Sequence, residues 1–262
     1  MDKNKLTISC ACDSNYFTHA LVLIRSIIKH SSDVNIILTG IHLLPEQIDM
    51  LDSLPVLFVD DRVDLPATKT LLAKGVDEKH PRMKTLRSRL ISPRVCYTVH
   101  SKFYNADNLL NNNFTNILIL DADSIVRGDL NSIMNLLEDH DLSVSYQPRR
   151  PGGILPIEYP VFKEGVMLVR SCTAMKLFFS KISKKLKDLT FLNESKKLDI
   201  DSDSEVMGET YCNMKSNIRL VNLPTIYKDT LFTAAGVIWS GKGDRKTTAE
   251  RYIKLYNTYL AQ

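Results

Sequence analysis

The segment that most constrains this chain is Asn116-Ile117-Leu118-Ile119-Leu120-Asp121-Ala122-Asp123-Ser124-Ile125-Val126. An unbroken apolar run ends in two carboxylates one residue apart, and apolar character then resumes. A short run of this kind, bounded by Asn and followed by polar residues, reads as a strand buried on both faces of an α/β sheet. The carboxylates then fall at the strand end, the rim at which open α/β sheets bind ligands. On an extended backbone residues i and i+2 project to the same side, so two like charges meet there. A divalent cation carrying a phosphate is the natural counter-charge.

The 262 residues leave room for one large domain or two small ones with a substantial core. A hydrophobic content of 44% with 24% charged residues is that of an ordinary globular protein. No apolar run approaches the ~18–20 residues that span a bilayer, and the apolar part of the N-terminus is too short for a secretory signal. The five cysteines show no paired CxxC spacing. Cys10 and Cys12 alternate on a strand-like segment, as small hydrophobes on one face would. A reduced, cytoplasmic compartment is therefore expected, and the sequons at Asn113 and Asn193 then carry little weight.

The net charge is only +4, but Arg62, Lys69, Lys74, Lys79, Arg82, Lys84, Arg87, Arg89, Arg94 and Lys102 cluster against Asp64, Asp77 and Glu78. Such a cluster suits an anionic ligand or surface, or is simply a solvated face. No nucleic-acid-binding module accompanies it, so nucleic acid is not an expected partner.

Periodicity predicts strands at residues 6–12, 34–38 and 56–59, and helices at 16–29 and 45–54. A helix at 97–110 feeds the Asp121 strand, and another is expected at 129–137. Strands follow at 142–146 and 161–169, separated by a Pro/Gly/Arg loop at 147–153, then a helix at 173–186 and a strand at 219–223. The tail from 248 to 260 carries apolar residues spaced to pack on the domain, with peripheral membrane contact as the alternative. Strands alternating with helices imply an α/β fold with a mixed, mostly parallel sheet flanked by helices.

An isolated Asp-x-Asp is weak evidence of function, and two capping carboxylates after a strand is the bland alternative. The context Ile117-Leu118-Ile119-Leu120-Asp121-Ala122-Asp123-Ser124-Ile125-Val126-Arg127-Gly128-Asp129-Leu130, however, resembles the manganese-binding segment of GT-A (Rossmann-like) glycosyltransferases. The likeness is to family 8, which includes lipooligosaccharide galactosyltransferases and glycogenin. The resemblance implies that Asp121 and Asp123, with Ala122 between them, hold Mn²⁺ or Mg²⁺ on the diphosphate of a UDP-sugar donor. Ala11-Cys12-Asp13-Ser14-Asn15-Tyr16 matches the family's nucleotide-binding Ala-x-Asp-x-Asn-Tyr. An Asp and an Asn at this turn can hydrogen-bond base and ribose while Tyr16 offers a stacking face; alternatively Asp13 or Ser14 caps the following helix.

Three further segments are similar to family motifs with departures. The helix before the metal strand lacks the expected Arg, leaving Lys102, or Arg89 or Arg94, as the cation; a lysine supplies a point charge without a bidentate fork. Val161-Phe162-Lys163-Glu164-Gly165-Val166 resembles the family's Phe-Asn-x-Gly-Val strand, with Lys163 in place of a sugar-contacting Asn. The stretch Asp199-Ile200-Asp201-Ser202-Asp203-Ser204-Glu205 fails as a calcium loop, because its sixth position is Ser204 and its twelfth is Thr210. Asp203-Ser204-Glu205 instead resembles the family's Asp-Gln-Asp at a helix start, implying that Asp203 contacts the transferred sugar or the acceptor; helix-dipole stabilisation alone is the alternative.

Finally, Ile238-Trp239-Ser240-Gly241-Lys242-Gly243-Asp244-Arg245-Lys246 resembles His-Phe-x-Gly-x-x-Lys, in which the His ligates the metal. Anchored on Gly241, the His position is Ile238, and shifted registers offer Trp239 or Ser240. Gly241, Lys242 and Lys246 (or Arg245) remain suited to a diphosphate. An ordinary glycine-rich loop is the alternative.

The resemblance implies a single GT-A domain over 1–262. A nucleotide-binding half (about 1–127) precedes an acceptor-facing half (about 128–247) and a C-terminal packing helix (about 248–262). The implied reaction moves a hexose from the nucleotide sugar to a glycan or glycolipid hydroxyl with retention of configuration. A sugar-nucleotide nucleotidyltransferase and a non-catalytic nucleotide-sugar-binding protein are the rival readings; the first lacks its Gly-rich basic signature after the opening strand.

Overall fold

The computed structural model describes residues 1–65, 93–147, 160–191, 202–240 and 244–262. Strand β1 (Leu6–Asp13) is followed by helix α1 (Phe17–His30), β2 (Asn35–Ile41), a short α2 (Pro45–Asp49) and β3 (Leu57–Asp61). Helix α3 (Pro93–Asn111) leads into β4 (Asn116–Leu120) and the two-residue β5 (Ile125–Val126). A 3₁₀ helix at Asn131–Leu137 precedes β6 (Leu142–Gln147), β7 (Val161–Arg170) and α4 (Thr173–Phe191). Then come α5 (Ser202–Met214), β8 (Leu220–Asn222), β9 (Ile238–Trp239), α6 (Asp244–Thr248) and α7 (Glu250–Leu260). Most of the basic run (residues 66–92) and the 148–153 loop lie outside the described residues.

The main sheet has seven strands in the order β3-β2-β1-β4-β7-β6-β8. Every neighbouring pair is parallel except the two made by β7. The unbroken apolar character of β4 follows from its central place. Leu118 and Leu120 face one buried layer with Leu21, Ile24 and Ile27 of α1. Ile117 and Ile119 face the other, with Phe103 and Leu110 of α3 and Phe178 and Phe179 of α4. Cys10 and Cys12 lie together in the α1 layer, and all five cysteines are free. β5 and β9 form a separate two-stranded sheet, too short to register as a hydrophobic period.

Two expected helices are reshaped. The one anticipated at 129–137 is a 3₁₀ helix, because the Asp129 carboxylate ties down the Asn131 N–H at 3.2 Å and competes with a helical start. The one anticipated to reach Leu54 ends at Asp49, after which Leu51 and Leu54 bond carbonyls three residues back, the tighter turn geometry.

The irregularity that matters most lies in β7. Val144 of β6 pairs with Met167, but its neighbour Ser145 pairs with Lys163. Glu164, Gly165 and Val166 are thus looped out of the β6 ladder, while on the other side Val166 still pairs with Leu120. Bulges of this kind twist a strand and re-aim its side chains.

Beyond the bulge, Asp141 locks the far edge of the sheet. Its carboxylate accepts from the Arg219 guanidinium at 2.9 and 3.1 Å and from Arg170 at 3.0 Å. Chiefly the Arg219 hydrogen bond, against the opposing effect of burial, holds its carboxyl far below the usual carboxylate range. Because charge-assisted hydrogen bonds contribute about 1.5–3 kcal/mol, Asp141→Ala is expected to cost on the order of 2 kcal/mol in urea unfolding, whereas Asp129→Ala should change stability by well under half of that.

Candidate active site

The backbone after β4 is not extended. The Ser124 N–H bonds the Asp121 carbonyl at 3.0 Å, so Asp121, Ala122 and Asp123 form a turn. The expectation that both carboxylates share one side of a strand is corrected accordingly. Ala122 turns into the apolar layer under α1, and Asp121 and Asp123 reach separate cations. The Tyr252 hydroxyl of α7 donates to the Asp123 carbonyl at 2.9 Å and supports the turn from behind.

Asp121 reaches its place because residue 165 has no side chain. A Cβ there would lie 2.6 Å from Asp121 Oδ2 and 3.3 Å from Ser240 Oγ. The bulged Gly165 also accepts the Asp121 N–H at 3.0 Å, so β7 shapes the turn through its backbone.

Lys102, on α3, stands 3.7 Å from Asp121 Oδ1 and 3.2 Å from Asp203 Oδ2. Asp203 lies at the first turn of α5, where its Oδ1 accepts the Ser204 N–H at 2.8 Å. Both side chains are largely buried. Burial alone would lower the Lys102 pKa, but Asp121, Asp203 and Glu164 together outweigh it and raise it. Glu164 is affected in the opposite sense: burial first, then the Asp203 charge, pushes its carboxyl up to about 7, with Lys102 pulling the other way. Lys246 of α6 forms an ion pair with Asp123; burial lowers its pKa to about 8, partly opposed by Asp121.

On the other side of the rim, the Asp13 carboxylate accepts the backbone N–H groups of Asn15 and Tyr16 at 3.1 and 3.0 Å. Asp13 thus fixes the turn between β1 and α1 without capping the helix itself, and Asn15 and Tyr16 stand exposed there. The Tyr16 ring centroid lies 5.6 Å from that of His19, on α1, whose pKa is lowered by burial and by Lys246. Ala11 is half-buried within β1. Arg94 donates to the Leu65 carbonyl at 3.2 Å, which commits at least part of its guanidinium elsewhere.

The Ile238 position offers no metal ligand, because its side chain is aliphatic. Ile238 is fully buried in β9, paired with Val126, and Trp239 donates to the Thr233 carbonyl at 3.0 Å. The Ser240 hydroxyl and the Asp121 carboxylate both line the space that a side chain at Gly165 would fill. Counting back from Lys246 instead of Gly241 puts Ser240 at the expected His position, and the spacing alone contained that signal. Gly241, Lys242, Gly243, Asp199, Asp201 and Arg89 lie outside the described residues.

Two participants were not anticipated. Glu164 was readable as an acidic residue inside an otherwise apolar strand; the Tyr252 hydroxyl contact, made from a distant helix, left no local signal.

Among the described residues no group of three or more His, Cys, Asp or Glu side chains could hold a metal. The donor set instead fits a cation shared with a substrate. Hard divalent cations at phosphate sites commonly use one or two carboxylates, with phosphate oxygens and water completing the shell. Four carboxylates (Asp121, Asp123, Asp203, Glu164) here face two ammonium groups, those of Lys102 and Lys246. The three aspartates alone outnumber the two ammonium groups, so the cluster carries a net negative charge that a divalent cation would offset.

The fold is that of a GT-A glycosyltransferase. The sequence profile of glycosyl transferase family 8 matches residues 7–186, and the chain belongs to that family. No curated protein sequence matches it. Solved structures share the fold at low identity. The glycosyltransferase GlyE of Streptococcus pneumoniae TIGR4 superposes with a TM-score of 0.60 at 16% identity, over 99% of this chain and 61% of that one. The galactosyltransferase LgtC, solved with donor and acceptor sugar analogues, gives 0.60 at 15%, over 96% and 95%. The bifunctional glycosyltransferase WbbM gives 0.59 at 13%, over 100% and 50%. The chain thus spans about three-fifths of GlyE and half of WbbM.

Beside Lys102, His100 is wholly buried, its Nδ1 3.4 Å from the Thr190 hydroxyl. Burial pushes its pKa down to about 4, against about 6.5 unfolded. The unfolded chain therefore takes up this proton first as pH falls, and stability from the neutral imidazole is lost between pH 6.5 and 4, up to on the order of 3 kcal/mol. Glu164, with its raised pKa, acts oppositely, its stabilisation fading as pH rises through about 7. The expected outcome is that His100→Gln melts with a shallower acid-side loss than the parent between pH 6.5 and 4, measured by thermal scans.

Proposed function

We propose that the protein transfers a hexose from a UDP-sugar to a hydroxyl of a glycan or glycolipid, with retention of anomeric configuration. The observation that carries this reading is the convergence of Asp121, Asp123, Lys102, Lys246 and Asp203 at the C-terminal rim of the sheet. That rim is where open α/β sheets bind nucleotides, and the first half of the chain (about 1–127) supplies most of it.

Asp121 and Asp123 would hold Mn²⁺ or Mg²⁺, with Ser240 alongside Asp121. When bound, such an ion withdraws charge from the leaving diphosphate. The chain's own groups do the rest. Lys102 and Lys246 are cations fixed in a buried setting before substrate arrives, which is where electrostatic stabilisation of a developing charge is most effective. Donor binding would draw them from the aspartates toward the diphosphate, with the Gly241 and Lys242 segment adding backbone N–H groups and charge. Tyr16 and Asn15, exposed at the turn that Asp13 fixes, are placed to stack on and hydrogen-bond the nucleoside. Asp203 would orient the transferred sugar or the acceptor hydroxyl, which the second half (about 128–247) faces.

The free cysteines suit a reducing, cytoplasmic setting. No helix among the described residues is long and apolar enough to cross a membrane; peripheral contact is the proposed route to a glycolipid acceptor.

A donor screen that measures UDP release with Mn²⁺ tests the reading. At least one UDP-hexose is expected to turn over, and Asp123→Asn to slow release at least a hundredfold without lowering the melting temperature by more than a few degrees. Turnover that survives this substitution would overturn the metal assignment; UDP binding without turnover on any donor and acceptor would favour a binding protein. Gly165→Ala, which forces a Cβ against Asp121, is expected to lower release at least tenfold.

A further inference from the structure

One charged side chain of the site has no task in the reaction outlined above. Glu164 sits in the β7 bulge between Lys163, which keeps its pairing with Ser145, and Gly165, which makes room for Asp121. The residue is 8% exposed. Its Oε1 is shut off from solvent and makes no hydrogen bond to the described residues. Native proteins rarely leave a buried carboxyl oxygen unmet, and a missing ligand is one explanation for such an atom.

Its surroundings narrow the ligand. Lys102 and Asp203 act on Glu164 electrostatically, and Ser204 lies within hydrogen-bonding reach. The Ser204 hydroxyl, however, already donates to the Phe162 carbonyl at 3.0 Å, and Lys102 already serves Asp121 and Asp203. A diphosphate is unsuited to Glu164, because both are anionic. What suits a carboxyl one residue from the Asp121 pocket is a neutral group rich in O–H donors, attached directly to the diphosphate. The donor's sugar has that description.

We infer that Glu164 is a donor-sugar ligand whose orphan oxygen accepts a hydrogen bond from one hydroxyl of the transferred hexose, making it a specificity-determining residue. This rests on the UDP-sugar reading above. A group that merely held Lys102 in place would affect binding of the nucleotide and the nucleotide sugar alike, since Lys102 reaches Asp121. A group that touches the sugar affects only the increment the sugar adds. Sites built to hydrogen-bond a substrate hydroxyl discriminate strongly against analogues that lack it.

The test is calorimetric titration, in Mn²⁺, of UDP, a panel of UDP-hexoses and the deoxy analogues of the best one. The proteins are the parent, Glu164→Gln and Glu164→Met, each checked by thermal melting. The expected result is a UDP Kd within threefold of the parent for both variants, with the preferred UDP-hexose weakened at least tenfold by Glu164→Met and less by Glu164→Gln. One deoxy analogue should bind the parent as weakly as the full sugar binds Glu164→Met, and removing that hydroxyl should cost the Met variant nothing further. Equal losses for UDP and UDP-hexose, no loss at all, or a parent that binds every UDP-hexose no differently from UDP would each overturn the inference. A parent that binds no UDP would instead sink the UDP-sugar reading itself.

Discussion

The rim of this molecule depends on one buried ammonium group. Lys102 lies between Asp121 at the end of β4 and Asp203 at the start of α5, with Glu164 of β7 acting on it as well. A carboxylate held away from water is strongly unfavourable unless a counter-charge meets it, and removing one partner of such a group typically costs several kcal/mol. Lys102 therefore joins three elements far apart in sequence, and the turn bearing Asp121 and Asp123 is set by this contact, by the Gly165 carbonyl and by the Tyr252 hydroxyl.

The same arrangement explains the excess of negative charge. A site built only to hold its own parts together would balance its charges, and the described cluster does not. In the proposed reading this negative charge attracts a divalent cation arriving with a diphosphate, and Lys102 and Lys246 would then meet the phosphate oxygens. The β7 bulge serves this geometry directly, because a regular strand would return Glu164 and Gly165 to the β6 ladder and close the pocket that Asp121 occupies.

Much of this was legible in the sequence, for identifiable reasons. The order of strands and helices through β4 follows from hydrophobic periodicity, and the unbroken run of Ile117 to Leu120 correctly announced a strand covered on both faces. Asp121 and Asp123 stood out because the whole run they end resembles the family's metal-binding segment, not because of the pair alone. Other features are properties of the folded chain rather than of any window within it. The turn at Ala122, the pairing of β5 with β9, and the β7 bulge arise from contacts between distant segments. Anchoring the last motif on Gly241 put the aliphatic Ile238 at the His position; pairing with Val126 buries it, and the shifted register offers Ser240, which lies near the Gly165 gap that Asp121 fills. Asp13 looked equally able to cap or to bind; its two backbone hydrogen bonds hold the turn ahead of α1 rather than the helix end.

The central claim is that the Asp121–Asp123 turn binds a nucleotide diphosphate through a divalent cation. Calorimetric titration of UDP into the metal-stripped protein, with and without added Mn²⁺, tests it most directly. Binding at least tenfold tighter with Mn²⁺ than without, and no such gain when Mg²⁺ and Mn²⁺ are both withheld by chelator, is the predicted result. UDP affinity indifferent to the cation, or no UDP affinity under either condition, would contradict it.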